Sequence, residues 1–232
     1  MRSTKFGTIS KLLYKMIKGL VFDLDGTLFD TVKDIANSVN YALKVKGYPI
    51  RKLEEFPSFL GHGSRRLIRL ASPEGCSDSE LDDTFNIYLE NYLNNPVVDT
   101  KPYPGIKESL KLAKDKGLKL MCMTNKPEAV AKIIVEKYFL NTFDLIEGNR
   151  KDFKVKPDAS QLLYGLNKLG LKPNEVAYFG DSDVDMLTCM NAKIENKVAC
   201  LYGYCPKSEV LKYQPKYVLN TSKEMLSLID VL

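Results

Sequence analysis

The sequence predicts an α/β fold in which a doubly wound parallel sheet is interrupted near its start by a block of helices. From about residue 97 onwards, short apolar runs alternate with amphipathic stretches, which is the order of strands and helices in a parallel sheet covered on both faces. Residues 31–95 instead have the apolar spacing of helices and contain no convincing strand. The helical block is therefore expected as an insertion into the α/β unit.

The elements follow from the apolar pattern in chain order. The first strand is predicted at 17–24, an apolar run that ends in acids and a glycine, as expected of a buried strand that opens onto a site. In the helical block, residues such as Ile35 and Val39 fall on one helix face. The prolines and glycine of 96–105 then predict the return to the sheet. Further strands are predicted at 118–123, 143–146, 176–179, 198–201 and 217–219, and helices at 106–116, 128–138, 159–169 and 223–231.

The composition is that of a globular protein. Hydrophobic residues make up 44% of the chain and charged residues 27%. The 34 basic and 29 acidic residues give a net charge of +5 without a basic stripe, which argues against a nucleic-acid partner. No apolar run approaches the roughly 20 residues of a membrane-spanning helix, and the five widely spaced cysteines favour buried thiols over disulfides or a zinc site. We therefore expect a cytoplasmic protein with no membrane or nucleic-acid partner, and the sequence leaves open whether it is a monomer or a homodimer.

Residues 1–15 precede the first predicted strand as an N-terminal extension. The first 18 residues contain five basic residues and no acid, a composition shared with transit peptides, although the stretch is short and has one arginine. Met16 stands directly before the first strand, so an extension upstream of the true start is the alternative. The sequence leaves both interpretations open.

Polar side chains follow three of the predicted strands, at the edge where ligands bind in an open parallel sheet. They are Asp23 and Asp25 after the first strand, Thr124 and Asn125 after the strand at 118–123, and Asp181, Asp183 and Asp185 after the strand at 176–179, with Lys156 before the helix between the last two groups. Carboxylates that converge on one point repel each other unless a divalent cation neutralises them, and oxygen ligands suit Mg²⁺ better than Zn²⁺. A magnesium site with Asp23 and Asp181 as ligands is therefore predicted.

Asp23 and Asp25 project to the same side of an extended segment, so both can reach one reacting centre. A carboxylate can attack phosphorus to form an aspartyl-phosphate while a second carboxylic acid protonates the departing oxygen. We assign the attack to Asp23 and the acid and base steps to Asp25. Charge on the phosphoryl group would be balanced by Mg²⁺, Lys156, the Thr124 hydroxyl and the Asn125 amide.

These motifs together resemble the haloacid dehalogenase-like hydrolases, in particular the phosphoglycolate phosphatase-like branch. The family's four motifs are matched in order by DLDGT at 23–27, Thr124 with Asn125, Lys156 with Pro157, and GDSDVD at 180–185. The resemblance implies a Rossmann-like core formed by residues 16–30 and 97–232, with an inserted all-α cap domain at 31–96. It also implies that the main-chain carbonyl of Asp25 and the carboxylate of Asp181 join Asp23 as Mg²⁺ ligands, with Asp185 supporting the water shell. After the fourth motif, many relatives have the sequence Ala-Ala-Gly, whereas residues 190–193 of this chain are Met-Asn-Ala-Lys.

The segment 61–66, GHGSRR, is expected to be either a flexible loop between cap helices or the loop that closes over substrate, as the cap loop does in similar phosphatases. Its glycines suit a moving lid, so Gly61, His62 and Gly63 are predicted to contact substrate. Arg65 could bind a substrate carboxylate through its planar guanidinium group. His62 is the only histidine, which excludes a histidine-based triad.

The function that the resemblance implies is Mg²⁺-dependent hydrolysis of a small phosphorylated metabolite, with phosphoglycolate as the first substrate to test. A sugar phosphomutase, a phosphonate hydrolase or a pyrophosphate hydrolase of the same fold remains an alternative, and so does an inactive binding module. Asp25 argues against a dehalogenase, because that reaction has no leaving oxygen to protonate.

Overall fold

The computed structural model describes residues 17–232, whose main feature is a parallel sheet. Its strands and a short separate pair are β1 (Gly19–Phe22), β2 (Phe29–Asp30), β3 (Lys101–Pro102), β4 (Lys119–Pro127), β5 (Leu145–Asn149), β6 (Val176–Gly180), β7 (Asn196–Cys200) and β8 (Tyr217–Leu219). The parallel sheet has the order β5–β4–β1–β6–β7–β8. From β1 the chain runs outwards through β4 and β5 and then crosses to β6 on the other side, which confirms the doubly wound sheet.

The centre of the sheet is apolar on both faces because helices cover both. All four residues of β1 are buried, and Phe22 lies opposite Cys122 of β4 and Phe179 of β6. Side chains alternate between the faces, so Leu20 and Phe22 join one hydrophobic cluster and Val21 joins another. The run of apolar residues that predicted a buried parallel strand is therefore found at the middle of the sheet.

The helices of the α/β unit follow the predicted order. The helical block contains α1 (Val32–Val45), α2 (Ser64–Ala71) and α3 (Asp78–Asn94). The α/β unit contains α4 (Ile106–Asp115), α5 (Glu128–Phe139), α6 (Ser160–Lys168), α7 (Asp183–Asn191), α8 (Lys207–Leu211) and α9 (Glu224–Val231). Apolar side chains of α4, α5 and α9 cover one face of the sheet and those of α6 and α7 the other. In the segment 190–193, the chain leaves α7 with Lys193 at φ 58°, the left-handed conformation that glycine adopts most easily.

The helical block, residues 31–96, contains α1, a 3₁₀ helix at Leu53–Phe59, α2 and α3. Helix α3 packs against both α1 and α2. Its first turn is closed by a capping box, in which the Ser77 hydroxyl accepts from the Glu80 N–H and Glu80 accepts from the Ser77 N–H. No strand lies within 31–95, as the periodicity predicts.

The two connections of the block to the sheet lie side by side. Strands β2 and β3 pair antiparallel over two residues each, which is too short to leave a pattern in the sequence. The buried carboxylate of Asp34, in the first turn of α1, accepts hydrogen bonds from the N–H groups of Val98, Asp99 and Thr100 at 2.8–3.1 Å. Asp34 therefore fixes the outgoing connection to the start of the block.

The predicted N-terminal extension, residues 1–15, and Met16 lie outside the described residues. Within 17–232, no helix is at once long enough and apolar enough to pass through a bilayer.

Candidate active site

A cavity of about 150 Å³ lies where the carboxyl ends of β1, β4 and β6 face the helical block. This is the switch point of the sheet, where ligands bind in doubly wound folds. From the α/β unit it is lined by Asp23, Asp25, Thr124, Asn125, Lys126, Lys156, Asp181, Ser182, Asp183, Tyr204, Cys205 and Pro206. From the helical block it is lined by Gly61, His62, Gly63, Ser64 and Arg66, and by the more apolar set Ile35, Pro57, Ser58, Phe59, Leu60, Leu67 and Tyr88. The predicted residues of the three strand ends are therefore brought to one place.

Three aspartates converge at the floor of the site. One carboxylate oxygen from each of Asp23, Asp181 and Asp185 lies within 4.8 Å of the other two, and all three residues are buried. Asp181 is held from two sides, since the Thr27 hydroxyl and the Tyr204 N–H donate to its carboxylate at 3.3 and 2.8 Å. The three residues could hold a metal ion.

Glycine backbone encloses the Asp181 carboxylate. A Cβ atom on Gly26 would lie 2.2 Å from Asp181 Oδ2, and a Cβ atom on Gly203 would lie 2.3 Å from the same oxygen. Neither position has room for a side chain while Asp181 stays in place.

Lys156 connects two of these aspartates. Its Nζ lies 2.9 Å from Asp23 Oδ1 and 2.7 Å from Asp185 Oδ1. The second oxygen of Asp185 accepts from the N–H and hydroxyl of Ser182, at the N-terminus of α7, at 3.1 and 2.6 Å. Asp185 is thus held by the helix cap and in turn orients Lys156.

Burial is the largest influence on the pKa values of Asp23, Asp181 and Lys156. Burial and the neighbouring Asp185 carboxylate raise the pKa of Asp23 to about 7, although Lys156 acts in the opposite direction. The same two causes hold the pKa of Asp181 well above its usual range. Burial alone would lower the pKa of Lys156, but the carboxylates of Asp185 and Asp23 outweigh it and raise that pKa.

The donor set fits a divalent cation. Four aspartates meet two lysines at the strand ends, namely Asp23, Asp25, Asp181 and Asp185 with Lys126 and Lys156. When all are ionised, the aspartates exceed the lysines by two charges, which one divalent cation balances. Asp23 Oδ1 is buried, and within residues 17–232 its charged partner is the Lys156 ammonium group, whose Nζ lies 2.9 Å away. A buried, oxygen-only set of carboxylates that carries excess negative charge suits a hard cation.

Asp25 has surroundings different from those of Asp23. Its Oδ1 accepts a hydrogen bond from the Thr31 hydroxyl at 2.5 Å and lies 3.0 Å from Lys126 Nζ. Its side chain is outside the group of three converging carboxylates. The two aspartates of DLDGT are therefore held by separate partners.

Thr124 and Asn125, predicted as catalytic, are buried at the end of β4. The Thr124 hydroxyl accepts from the Lys126 N–H at 3.2 Å. The Asn125 amide donates to the Gly61 carbonyl at 2.9 Å and to the Lys156 carbonyl at 3.1 Å, and it accepts from the Lys156 N–H at 2.7 Å. Asn125 thus joins the helical block to the backbone of Lys156.

The predicted substrate loop lies over the cavity, with one exception. Gly61, His62 and Gly63 line the cavity, and burial, followed by the charge of Arg66, lowers the pKa of His62. The structure places Arg65 elsewhere: it is exposed, donates to Asp82 of α3 and lies over the ring of Phe85. Because the next residue of a helix points about 100° away, Arg66 faces the cavity instead.

Residues 20–199 match the family model of the haloacid dehalogenase-like hydrolases. This chain belongs to that family. The resemblance predicted from the four motifs is confirmed. A phosphoglycolate phosphatase from Aquifex aeolicus (strain VF5) is 32% identical over 212 residues, which cover 91% of this chain and 96% of that protein. One from Nitrosospira multiformis is 31% identical over 221 residues, which cover 92% of this chain and 96% of that protein.

The fold of this haloacid dehalogenase-like hydrolase is also that of solved structures. A crystal structure of a predicted phosphoglycolate phosphatase from Haemophilus somnus 129PT matches it with a TM-score of 0.83 at 26% identity, covering 91% of this chain and 97% of that one. Phosphatases of the family generally use a divalent metal, and the aspartates that converge here could bind one.

Lys126 and Tyr204 are two of the residues of this family member's site that the sequence patterns did not indicate. Lys126 is buried beside Asp25, and the polar run that it continues, after Thr124 and Asn125, was the available signal. Tyr204 follows β7; its hydroxyl accepts from the Thr31 N–H at 2.7 Å and donates to Asp30 at 2.8 Å. No motif spacing marks this tyrosine.

Proposed function

We propose that this protein is a Mg²⁺-dependent phosphatase that hydrolyses a phosphate monoester of a small metabolite, with phosphoglycolate as the leading substrate. The observation that carries the proposal is the separation of the two aspartates after β1: Asp23 lies among carboxylates beside Lys156, whereas Asp25 is held by Lys126 and Thr31. Two carboxylates in unlike environments can take the roles of nucleophile and acid. The names of the relatives support the substrate class.

In the first step, a carboxylate oxygen of Asp23 bonds to phosphorus as the bond from phosphorus to the leaving oxygen breaks. Asp25 gives its proton to that oxygen, so the alcohol departs neutral. In the second step, Asp25 takes a proton from water, whose oxygen attacks phosphorus and displaces the Asp23 carboxylate. Inorganic phosphate leaves, and both aspartates return to their starting states.

Lys156 offers positive charge to the phosphoryl oxygens, and Thr124 and Asn125 complete that side of the site. Bound Mg²⁺, held by the Asp23 and Asp181 carboxylates and the Asp25 main-chain carbonyl with Asp185 behind its water shell, would neutralise phosphoryl charge. The oxygen-only donors support Mg²⁺ over a softer metal.

The helical block, residues 31–96, is proposed to act as the cap that excludes bulk water until the aspartyl-phosphate forms and then admits one attacking water. The cavity of about 150 Å³ is close to one that holds a benzene-sized molecule, which favours a compact metabolite over a nucleotide. Gly61, His62 and Gly63 would form its roof. Arg66, rather than Arg65, is placed to bind a substrate carboxylate.

The test is phosphate release with Mg²⁺ from phosphoglycolate, sugar phosphates, nucleotides and pyrophosphate. We expect preferred release from phosphoglycolate, abolished by a chelator and by Asp23→Asn. Asp152→Asn changes an exposed aspartate of the α/β unit and should leave the rate unchanged. Failure of the folded, Mg²⁺-loaded parent to release phosphate from any compound would exclude the phosphatase and favour a mutase or a binding module.

A further inference from the structure

Lys126 is a buried lysine at the end of β4, with a side chain about 2% exposed. Lysines are almost never buried to this degree without partners. Its Nζ lies 3.0 Å from Asp25 Oδ1 and donates a hydrogen bond to the Tyr92 hydroxyl at 2.8 Å. The ammonium group also lies 4.6 Å from the centre of the Tyr92 ring, within the range of a cation–π contact.

These two partners come from different parts of the protein. Asp25 follows β1 of the α/β unit, whereas Tyr92 is fully buried near the end of α3 in the helical block. Lys126 thus connects the acid of the proposed reaction to a helix of the cap.

The other partner of Asp25 Oδ1 also depends on the block. Thr31, whose hydroxyl donates to this oxygen at 2.5 Å, stands directly before α1. Asp25 Oδ2 makes no hydrogen bond to any residue between 17 and 232, and Asp25 lines the cavity. Oδ1 is therefore held by one group that adjoins the helical block and one that contacts it, and Oδ2 is left for the substrate.

We propose that Lys126 is a positioning residue that orients the Asp25 carboxylate, and that it does so only while Tyr92 of α3 holds the ammonium group in place. The inference rests on the proposed function, since it assigns Asp25 the task of protonating the leaving oxygen. Under this proposal, the Asp25 carboxylate is aligned only when α3 of the cap is packed against Lys126. In this role Lys126 acts on the reaction through Asp25.

The distinguishing measurement compares two small substrates that differ in their need for an acid. Phosphoglycolate releases an alkoxide oxygen, which must be protonated, whereas acetyl phosphate releases acetate, which is stable as an anion at neutral pH. The ratio of their kcat/KM values reports steps up to departure of the leaving group, so the later attack of water does not enter. A purely structural loss would lower both values alike.

For Lys126→Met, which keeps the length of the side chain, we expect kcat/KM for phosphoglycolate to fall about 100-fold, the lower range of general acid catalysis, and that for acetyl phosphate to fall by less than about threefold. Tyr92→Phe, which removes one hydroxyl and keeps the ring, should give the same selectivity with about a tenfold loss. Lys132→Met changes a half-exposed lysine of α5 and should leave kcat/KM unchanged for both substrates.

Equal losses for both substrates in either variant would overturn the inference and leave the proposed function standing. If Lys126→Met fails to fold, the milder Tyr92→Phe decides alone, and an unchanged substrate ratio in that variant would overturn the inference. A parent protein that releases phosphate from neither substrate would overturn the proposed function, and the inference with it.

Discussion

The two glycines that enclose Asp181 are both predicted to be needed for space, and Gly26 also for its backbone conformation. Gly26 has φ 80°, which costs a residue with a Cβ atom about 1–2 kcal/mol, and its Cβ would also lie 2.2 Å from Asp181 Oδ2. The φ of Gly203 lies outside the left-handed region, but its Cβ would lie 2.3 Å from that oxygen. Gly203→Ala therefore isolates the steric effect on Asp181 from backbone strain.

The size of the effect follows from packing. Inserting a methyl group into filled space costs about 1–3 kcal/mol. The nearest atoms belong to the Asp181 side chain, so the carboxylate gives way first. If about 2 kcal/mol is relieved by displacing that carboxylate, a divalent cation bound there loses affinity by about 30-fold.

The assay is calorimetric titration of the metal-free protein with Mg²⁺, for the parent, Gly203→Ala and Gly47→Ala. Gly47 has φ 73° and no heavy atom within 4 Å of an added Cβ, so its alanine variant brings strain without a clash. We expect Gly47→Ala to lower Tm and keep the Mg²⁺ affinity, and Gly203→Ala to weaken the affinity. A folded Gly203→Ala protein that binds Mg²⁺ within about threefold of the parent would refute this reasoning.

Three further predictions concern the connection, the cavity and the charge of the site. Asp34→Ala removes the charged acceptor of three backbone N–H groups, at a cost of about 3 kcal/mol; thermal denaturation should show Tm lower by roughly 6–12 °C. Asp99→Asn, which removes an exposed ion pair, should change Tm little, and equal shifts for the two variants would contradict the role of the Asp34 carboxylate in fixing the outgoing connection. Arg66→Ala should raise KM about tenfold or more for substrates with a carboxylate, whereas Arg65→Ala should not; the reverse result would return the role to Arg65. The pKa of Asp23, raised to about 7 from 3.8, means that the folded metal-free protein binds this proton more tightly than the unfolded chain. Its stability should therefore fall as pH rises through this interval, and added Mg²⁺ should raise Tm more at about pH 8 than at about pH 5; a Tm in chelator that rises over the interval would count against it.

The parts of the fold that were predictable are those with long-range periodicity. The buried run at β1 and the alternation after residue 97 follow from the need to bury both faces of a parallel sheet. Strand β4 shows the limit, because it was expected to end at 123 and extends to Pro127, with an irregular register between Met123 and Pro127. Thr124, Asn125 and Lys126, in the second half of β4, line the cavity, so they break the apolar pattern by which a strand is predicted. Lys126 was overlooked for that reason.

The sequence does not predict the direction in which a single side chain of a helix points. Arg65 and Arg66 are adjacent, and which of them faces the cavity depends on how α2 packs on α3, through the contacts of Arg65 with Asp82 and Phe85. That packing is a tertiary property, with no counterpart in local spacing. The side chains after β1 and β6 were accessible because a strand end fixes where its next residues point.

The Asn125 amide, which binds the backbone of Lys156 and the carbonyl of Gly61 at once, has a consequence for how such an enzyme can evolve. A substitution of Asn125 that frees the loop at Gly61 also frees the backbone of Lys156. A wider substrate range gained at this position is therefore accompanied by slower turnover. Within residues 17–232, the side chains of Arg66 and His62 line the cavity without hydrogen bonds that join it to Lys156. Substitutions at these two cavity residues are therefore expected to change substrate preference without that loss of turnover.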